Sequence, residues 1–219
     1  MTPVVLFGNS ASTAMAYHQL TADPAYSVAG FTLDRDFISQ NEWFGLPMVP
    51  FEEVEQYFPP DSHDMLIAIA YTSMNTLRQE RYDQAIEKGF SFASYIHPTA
   101  LIYPGVSFGE HCMVGPFTVI QPDAQIGNNV VIRDHCHIGH DNRIHDHCFI
   151  SGHCNISGYV TLESHCFLGA GVVVKNGLTL KRSSLIGAGV TILDNTSEHD
   201  VYMNRSAQKL PFPSDRIKI

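Results

Sequence analysis

The stretch Ile126-Gly-Asn-Asn-Val-Val-Ile132-Arg-Asp-His-Cys-His-Ile138-Gly-His-Asp-Asn-Arg-Ile144-His-Asp-His-Cys-Phe-Ile150 puts isoleucine at every sixth position. The rhythm continues in both directions. It starts at Ile96 and Ile102, passes through Phe108, Val114 and Ile120, and after Ile156 runs on through Leu162, Leu168, Val174, Leu180 and Ile186 to Ile192. An amphipathic helix repeats at 3.6 residues and a half-buried strand at 2, so neither accounts for this period. A strict hexapeptide repeat predicts a parallel β-helix, with each short strand forming one side of a triangular coil. Three repeats close a coil, and the array spans five to six of them. Each buried series residue contributes about 1.5–3 kcal/mol, and stacking in register makes a one-dimensional core.

Four residues after each series member the chain is small or thin: Ala100, Val106, Cys112, Thr118, Ala124, Val130, Cys136, Asn142, Cys148, Cys154, Val160 and Cys166, with Leu178 the bulky exception. Narrow corners of a three-sided coil admit such side chains. All five cysteines fall in this register. They read as buried small hydrophobes, reduced in a reducing compartment. Their odd number and the length of the chain argue against a disulfide framework, and the absence of CxxC spacing argues against a cysteine zinc site.

The repeat fills only the second half of the 219 residues. Residues 1–95 read as a separate α/β domain, 96–196 as the β-helix, and 197–219 as an irregular cap or tail. In the first domain Pro3–Phe7 is a buried-strand run followed by Gly8-Asn9-Ser10. A helix is expected from Ser12, as N-cap, to Leu20, and a strand from Ser27 to Leu33 ending at Asp34. Trp43 and Pro47 fall in a loop, and Phe51–Tyr57 reads as a short helix. Met65–Ala70 is a third strand, Asn75–Lys88 a helix stopped by Gly89, and Phe90–Ile96 a last strand running into the coil. Alternation of this kind predicts a small parallel sheet of Rossmann-like type.

The net charge of −9, from 13 basic and 22 acidic residues, argues against nucleic acid as a partner. Basic residues do not cluster, and no run approaches 18 apolar residues, so membrane insertion is not expected. A soluble, cytoplasmic protein is the expectation.

Two features suggest chemistry. Gly169-Ala170-Gly171 and Gly187-Ala188-Gly189 are one coil apart and stack at one corner, which would leave backbone N–H groups open to an extended ligand; the alternative is that glycine simply makes the turn. Histidine is in excess, with twelve copies. His111, His135, His147, His153 and His165 share one turn position and read as stacked, solvent-facing residues. His140, in Ile138-Gly-His-Asp141, is the one that fits a proton acceptor, because a neutral imidazole followed by an acid can take a proton near neutral pH. His140 and the Gly-Ala-Gly pair lie on different edges of one prism. A single site using both would have to form between copies about a threefold axis.

These residues together resemble the bacterial hexapeptide-repeat sugar O-/N-acyltransferases, in particular sialic-acid O-acetyltransferases and amino-sugar N-acetyltransferases. Ile138-Gly139-His140-Asp141 and Phe167-Leu168-Gly169-Ala170-Gly171 match that family's pattern. The resemblance implies a Rossmann-like domain before a left-handed β-helix, a homotrimer, and acetyl-CoA lying between subunits along Gly169, Ala170, Gly171, Gly187, Ala188 and Gly189. It further implies His140 as general base supported by Asp141, direct transfer to a sugar or sugar-nucleotide hydroxyl or amine, and no metal. The acceptor is expected at Gly8, Asn9, Ser10 and Asp34. Two departures stand out. The family's Gly-x-x-Gly-x-Gly loop reads Gly8-Asn9-Ser10-Ala11-Ser12-Thr13 here, and its Gly-x-Pro-Ala near the C-terminus is replaced by Asn204-Arg205-Ser206-Ala207, where Arg205 or Lys209 would have to meet the phosphates of coenzyme A.

Two other readings compete. Gly139-His140 followed by His145 resembles part of the zinc site of γ-class carbonic anhydrases, also trimeric hexapeptide coils, but the third histidine has no match and the α/β domain is foreign to them. A non-catalytic, trimeric sugar-binding coil is the other.

Overall fold

In the computed structural model, which describes residues 2–205, the second half of the chain is built from two-residue strands. All but the last, Val201–Tyr202, end on a member of the apolar series, as in Leu101–Ile102, Val119–Ile120 and His137–Ile138. Each pairs in parallel with the strand one coil away, so Val119 faces both Leu101 and His137. Among the described residues the strands form three parallel sheets of seven, six and five members. Face 1 runs from Tyr95–Ile96 to Val201–Tyr202, face 2 from Leu101–Ile102 to Thr191–Ile192, and face 3 from Ser107–Phe108 to Thr179–Leu180. This triangular parallel coil fits the left-handed β-helix that the resemblance implies.

The interior is a single apolar column. Ile120, Ile138, Ile150, Ile156, Leu162, Leu168, Val174, Leu180 and Ile186 are wholly buried, and the five cysteines line it at the corners. Burial pushes the Cys112 thiol up to about 11 and raises that of Cys148 well above its usual value.

The first half is a six-stranded sheet with two helices of length. Its elements are β1 (Val4–Phe7), α1 (Ala11–Ala22), β2 (Val28–Leu33), β3 (Glu42–Trp43), β4 (Leu46–Pro50), α2 (Val54–Tyr57), β5 (Asp64–Ile67), α3 (Thr76–Glu87) and β6 (Ser91–Phe92). The order is β3-β4-β2-β1-β5-β6, parallel except for the β3–β4 pair. The first strand is therefore central, and the direction of winding reverses between β1 and β5.

Several expectations shift by local chemistry. The helix cap moves from Ser12 to Ser10, whose backbone N–H donates to Thr13 Oγ1 at 3.3 Å. The loop around Trp43 is a hairpin, β3–β4, turning through Phe44 and Gly45 at φ 51° and 75°. A bulky Phe44 hides the usual Asn-Gly signal for such a turn; stacking on Tyr17, with ring centroids 4.4 Å apart, holds it there. The strand read as Phe90–Ile96 splits in two. Ser91–Phe92 completes the α/β sheet, and Tyr95–Ile96 is already the first rung of the coil.

The two halves share a core. The outward side chains of face 1, Met113, Val131 and Phe149, pack with Val4, Leu6, Ala16, Leu20 and Ala68. The α/β half thus covers face 1 and leaves face 2 open, where Leu101 and Val173 are exposed, with Phe117, Tyr159 and Leu193 exposed beside them. Among the described residues no helix is long and apolar enough to cross a membrane.

Candidate active site

Each corner of the coil needs one residue in the left-handed region of backbone space. His111, His135, His147, His153 and His165 occupy it at φ 57°, 57°, 61°, 61° and 63°, and Asn129 and Asp141 do so at 54° and 55°. Histidine, asparagine and aspartate tolerate this region best among residues other than glycine. Half of the twelve histidines thus meet a backbone requirement.

The expectation that these five histidines face solvent holds for two of them. His135 and His153 are exposed and stack at 4.9 Å with nearly parallel ring planes, at the corner between faces 1 and 2. The other three form a column with Asn129 at the corner between faces 3 and 1, against the α/β half. His111 is fully buried and His165 nearly so. The Ile67 N–H donates to His111 Nε2 at 2.8 Å, which leaves the His111 proton on Nδ1, within 3.0 Å of Asn129 Oδ1. Arg78 Nε donates to the same oxygen at 2.6 Å, and Asn129 Nδ2 donates to His147 Nδ1 at 2.9 Å. Burial, together with the Arg78 charge, pushes His111 well below the usual histidine value, and burial lowers His147 and His165 too. The repeat could not reveal this, because only docking of the other domain distinguishes one corner from another.

His140 stands at the corner between faces 2 and 3. Its Nδ1 lies 2.8 Å from Asp141 Oδ2, with both side chains close to half exposed. Its backbone N–H donates to Gln121 Oε1 at 3.2 Å, and Tyr159 meets the ring edge-on at 4.8 Å. The ring lies on Gly158, one coil further on, where a Cβ would come within 2.7 Å of Nε2. An Nδ1–H donated to the carboxylate leaves the lone pair on Nε2, the form a general base needs. Gly158 was not singled out in the sequence; its place eighteen residues after His140 was the available signal.

The Gly-Ala-Gly triplets stack at the corner between faces 1 and 2, a different edge from His140. Packing against backbone requires Gly169, where a Cβ would lie 2.6 Å from Ala188 N; at Gly187 a Cβ would meet the movable Met203 Sδ at 2.6 Å and the Tyr202 carbonyl at 3.1 Å. Gly171 and Gly189 make left-handed turns at φ 71° and 68°. The N–H groups of all four glycines donate to neighbouring coils. Ala170 and Ala188 are exposed residues, and their backbone N–H groups have no acceptor among the described residues.

In the α/β half, Gly8, Asn9 and Ser10 link the carboxyl end of β1 to α1, with Asn9 and Ser10 exposed. Asp34, at the end of β2, pairs with Arg81 at 2.7 Å, so its carboxylate is already engaged. Among the described residues no three His, Cys, Asp or Glu side chains converge as a metal site. Arg205 is exposed; Ser206, Ala207 and Lys209 lie outside the described residues.

A family model described as the GMPPB C-terminal domain matches residues 93–201. No curated protein sequence matches. Among solved structures, a variant of perosamine N-acetyltransferase from Caulobacter crescentus, in complex with CoA and GDP-perosamine, is 25% identical, covers 92% of this chain and 93% of its own, and superposes with a TM-score of 0.83. The acetyltransferase domain of PglB from Neisseria gonorrhoeae, in complex with acetyl coenzyme A, is 19% identical over 91% of this chain and 95% of its own, with a TM-score of 0.80. WeeI from Acinetobacter baumannii is 19% identical over 92% and 96%, with a TM-score of 0.81. The last two share the fold. The resemblance to hexapeptide-repeat sugar acyltransferases therefore extends through both halves of the chain.

Proposed function

We propose that this chain, similar to the hexapeptide-repeat sugar acyltransferases over nearly its whole length, is an acetyl-CoA-dependent sugar acetyltransferase. The observation that carries the reading is the His140–Asp141 pair on an exposed edge, with Nε2 unengaged above Gly158. The similar perosamine enzyme, in complex with CoA and a nucleotide-linked sugar, supports the choice of donor and acceptor class.

In this mechanism His140 Nε2 removes the proton from an acceptor hydroxyl or amine, and Asp141 stabilises the resulting imidazolium. The acceptor attacks the thioester carbonyl, a tetrahedral oxyanion forms, and CoA thiolate leaves. Preorganised amides facing a developing oxyanion are worth several kcal/mol of barrier, and the free N–H groups of Ala170 and Ala188 suit that role. No acyl-enzyme is needed, in keeping with five cysteines that are all buried.

The two edges come together in a homotrimer. Face 2 is bounded by the Gly-Ala-Gly corner on one side and the His140 corner on the other. If the uncovered, partly apolar face 2 turns toward a threefold axis, the His140 edge of one copy meets the Gly-Ala-Gly edge of the next. The α/β unit, read as Rossmann-like and spanning residues 1–95, would hold the acceptor at the carboxyl end of β1, and the cytoplasm is the expected compartment.

The test is mass spectrometry of products from acetyl-CoA with a panel of sugar nucleotides and free sugars, for wild type and His140→Ala. Acetyl transfer by wild type, lost in the variant with its sedimentation unchanged, is expected. Transfer that survives the substitution removes His140 as base, and no transfer to any acceptor removes the assignment.

A further inference from the structure

Face 2 is the open face of the coil, and its outward row holds one ionisable residue. From the first coil upward the row reads Leu101, Val119, His137, Asn155, Val173 and Thr191, each the residue before a member of the apolar series. The other members are uncharged at any pH. An imidazole in mid-row breaks that pattern. The left-handed backbone that explains the corner histidines does not explain this one, because His137 lies in a strand with ordinary dihedral angles.

The ring is already oriented. His137 Nδ1 lies 3.2 Å from the Oδ1 of Asn155, its strand partner one coil further on. An amide oxygen only accepts, so Nδ1 carries the proton and the lone pair is on Nε2. That is the side chain's single hydrogen bond among the described residues, and it enters no ion pair there. Metal-ligating imidazoles take this form: the second nitrogen donates to an oxygen, which fixes the ring and its tautomer.

One chain does not complete a ligand set, since no three His, Cys, Asp or Glu side chains converge among the described residues. Symmetry supplies the rest. In the threefold arrangement proposed above, the two corners of face 2 are shared with the two neighbouring copies. The midline of the face is then its part nearest the axis. Columns parallel to a threefold axis stand level, so each residue of the midline row faces its own two copies. Leu101 and Val119 would meet as apolar clusters. At the level of His137, three equivalent Nε2 lone pairs would face one point, each ring held by the Asn155 of its own chain.

We propose that the three copies of His137 bind one divalent transition-metal ion of the zinc class on the threefold axis. Three imidazoles with one position left to water satisfy the tetrahedral preference of such an ion. The proposal rests on the trimeric sugar acetyltransferase reading and deepens it by naming a regulator of that site. His140 of one copy and the Gly-Ala-Gly edge of the next act together only in the trimer. An ion that ties the copies therefore controls activity through assembly, without entering the chemistry.

The experiment strips the full chain of metal with a chelator and returns zinc. Elemental analysis reads the metal content, and sedimentation over a dilution series reads assembly, for wild type, His137→Ala, Asn155→Ala and His140→Ala. Wild type is expected to hold one zinc per three chains and to remain trimeric at roughly tenfold greater dilution with zinc than without. Both effects should vanish in His137→Ala, with its zinc-free melting temperature unchanged. Asn155→Ala, which removes the bond that orients the ring, should weaken zinc by about 10- to 100-fold, while His140→Ala binds it as wild type does. Wild type without zinc, zinc at one per chain, or zinc retained in His137→Ala overturns the axial site. Zinc lost in His140→Ala places the ion at the corner and overturns it as well. A chain that stays monomeric in saturating zinc overturns the site together with the trimer. Product mass spectrometry decides the enzyme separately. Acetyl transfer without axial zinc leaves the enzyme assignment standing alone, and axial zinc without transfer to any acceptor leaves the metal site standing without the enzyme.

Discussion

Gly158→Ala isolates the placement of the proposed base from its chemistry. The added Cβ would stand 2.7 Å from His140 Nε2, 2.8 Å from Cε1 and 3.0 Å from Cδ2. Ordinary contact begins at 3.4 Å, so the ring must give by about 0.7 Å, the shortfall from 2.7 Å. Gly158 lies outside the left-handed region, so its backbone accepts alanine. The imidazole is close to half exposed and swings outward at small cost to the fold, within about 0.5 kcal/mol. Its tether to Asp141 and its contact with Tyr159 then change. A displacement approaching 1 Å at a reacting group costs up to ~100-fold in rate, equivalent to ~2.7 kcal/mol of barrier. The expected result is a fall of about 10- to 100-fold in kcat/KM with the melting temperature nearly unchanged. Released CoA thiol can be followed with a disulfide reagent, because the protein's own cysteines are buried. A Gly158→Ala enzyme within twofold of wild type would refute the argument that Nε2 above Gly158 is the working atom.

Two further outcomes follow from the fold. His111 is buried and neutral, with a value depressed well below 6.5, and it faces Arg78, Asn129, His147, Tyr82 and Phe92. The unfolded chain takes up a proton near pH 6.5 that the folded chain resists. Stability should therefore be full above that pH and fall by ~1.4 kcal/mol per unit below it from His111 alone, down to the depressed folded value. Denaturant titrations at pH 7.5 and 5.5 check this, and His111→Gln should flatten the dependence; a slope unchanged in the variant would contradict it. Ile150→Ala empties a wholly buried position in mid-column with coils on both sides, and should cost about 2–5 kcal/mol in chemical denaturation.

Much of the architecture was readable from one period. Side chains that point inward every sixth residue require a three-sided coil, and the thin residues four positions later, cysteines included, follow from its corners. Ile138-Gly-His-Asp141 was legible for the same reason: a corner displays consecutive polar residues to solvent, so His140 and Asp141 had to be near one another. Gly158 was less visible, since its role depends on a ring that belongs to the preceding coil.

Other assignments waited on tertiary contact. His111, His135, His147, His153 and His165 are equivalent in the repeat, yet three lie against the α/β half and two do not, because that half covers face 1 and one adjoining corner. Arg78 looks like an ordinary charge on an amphipathic helix until docking buries it beside Asn129. The repeat determined which side chains enter the column and which reach its corners, since six-residue spacing is a local geometric constraint. The packing of the α/β half on face 1 decided which corners are wet, which histidines are neutral and where a buried guanidinium lies, since burial of charge depends on residues far apart in the chain.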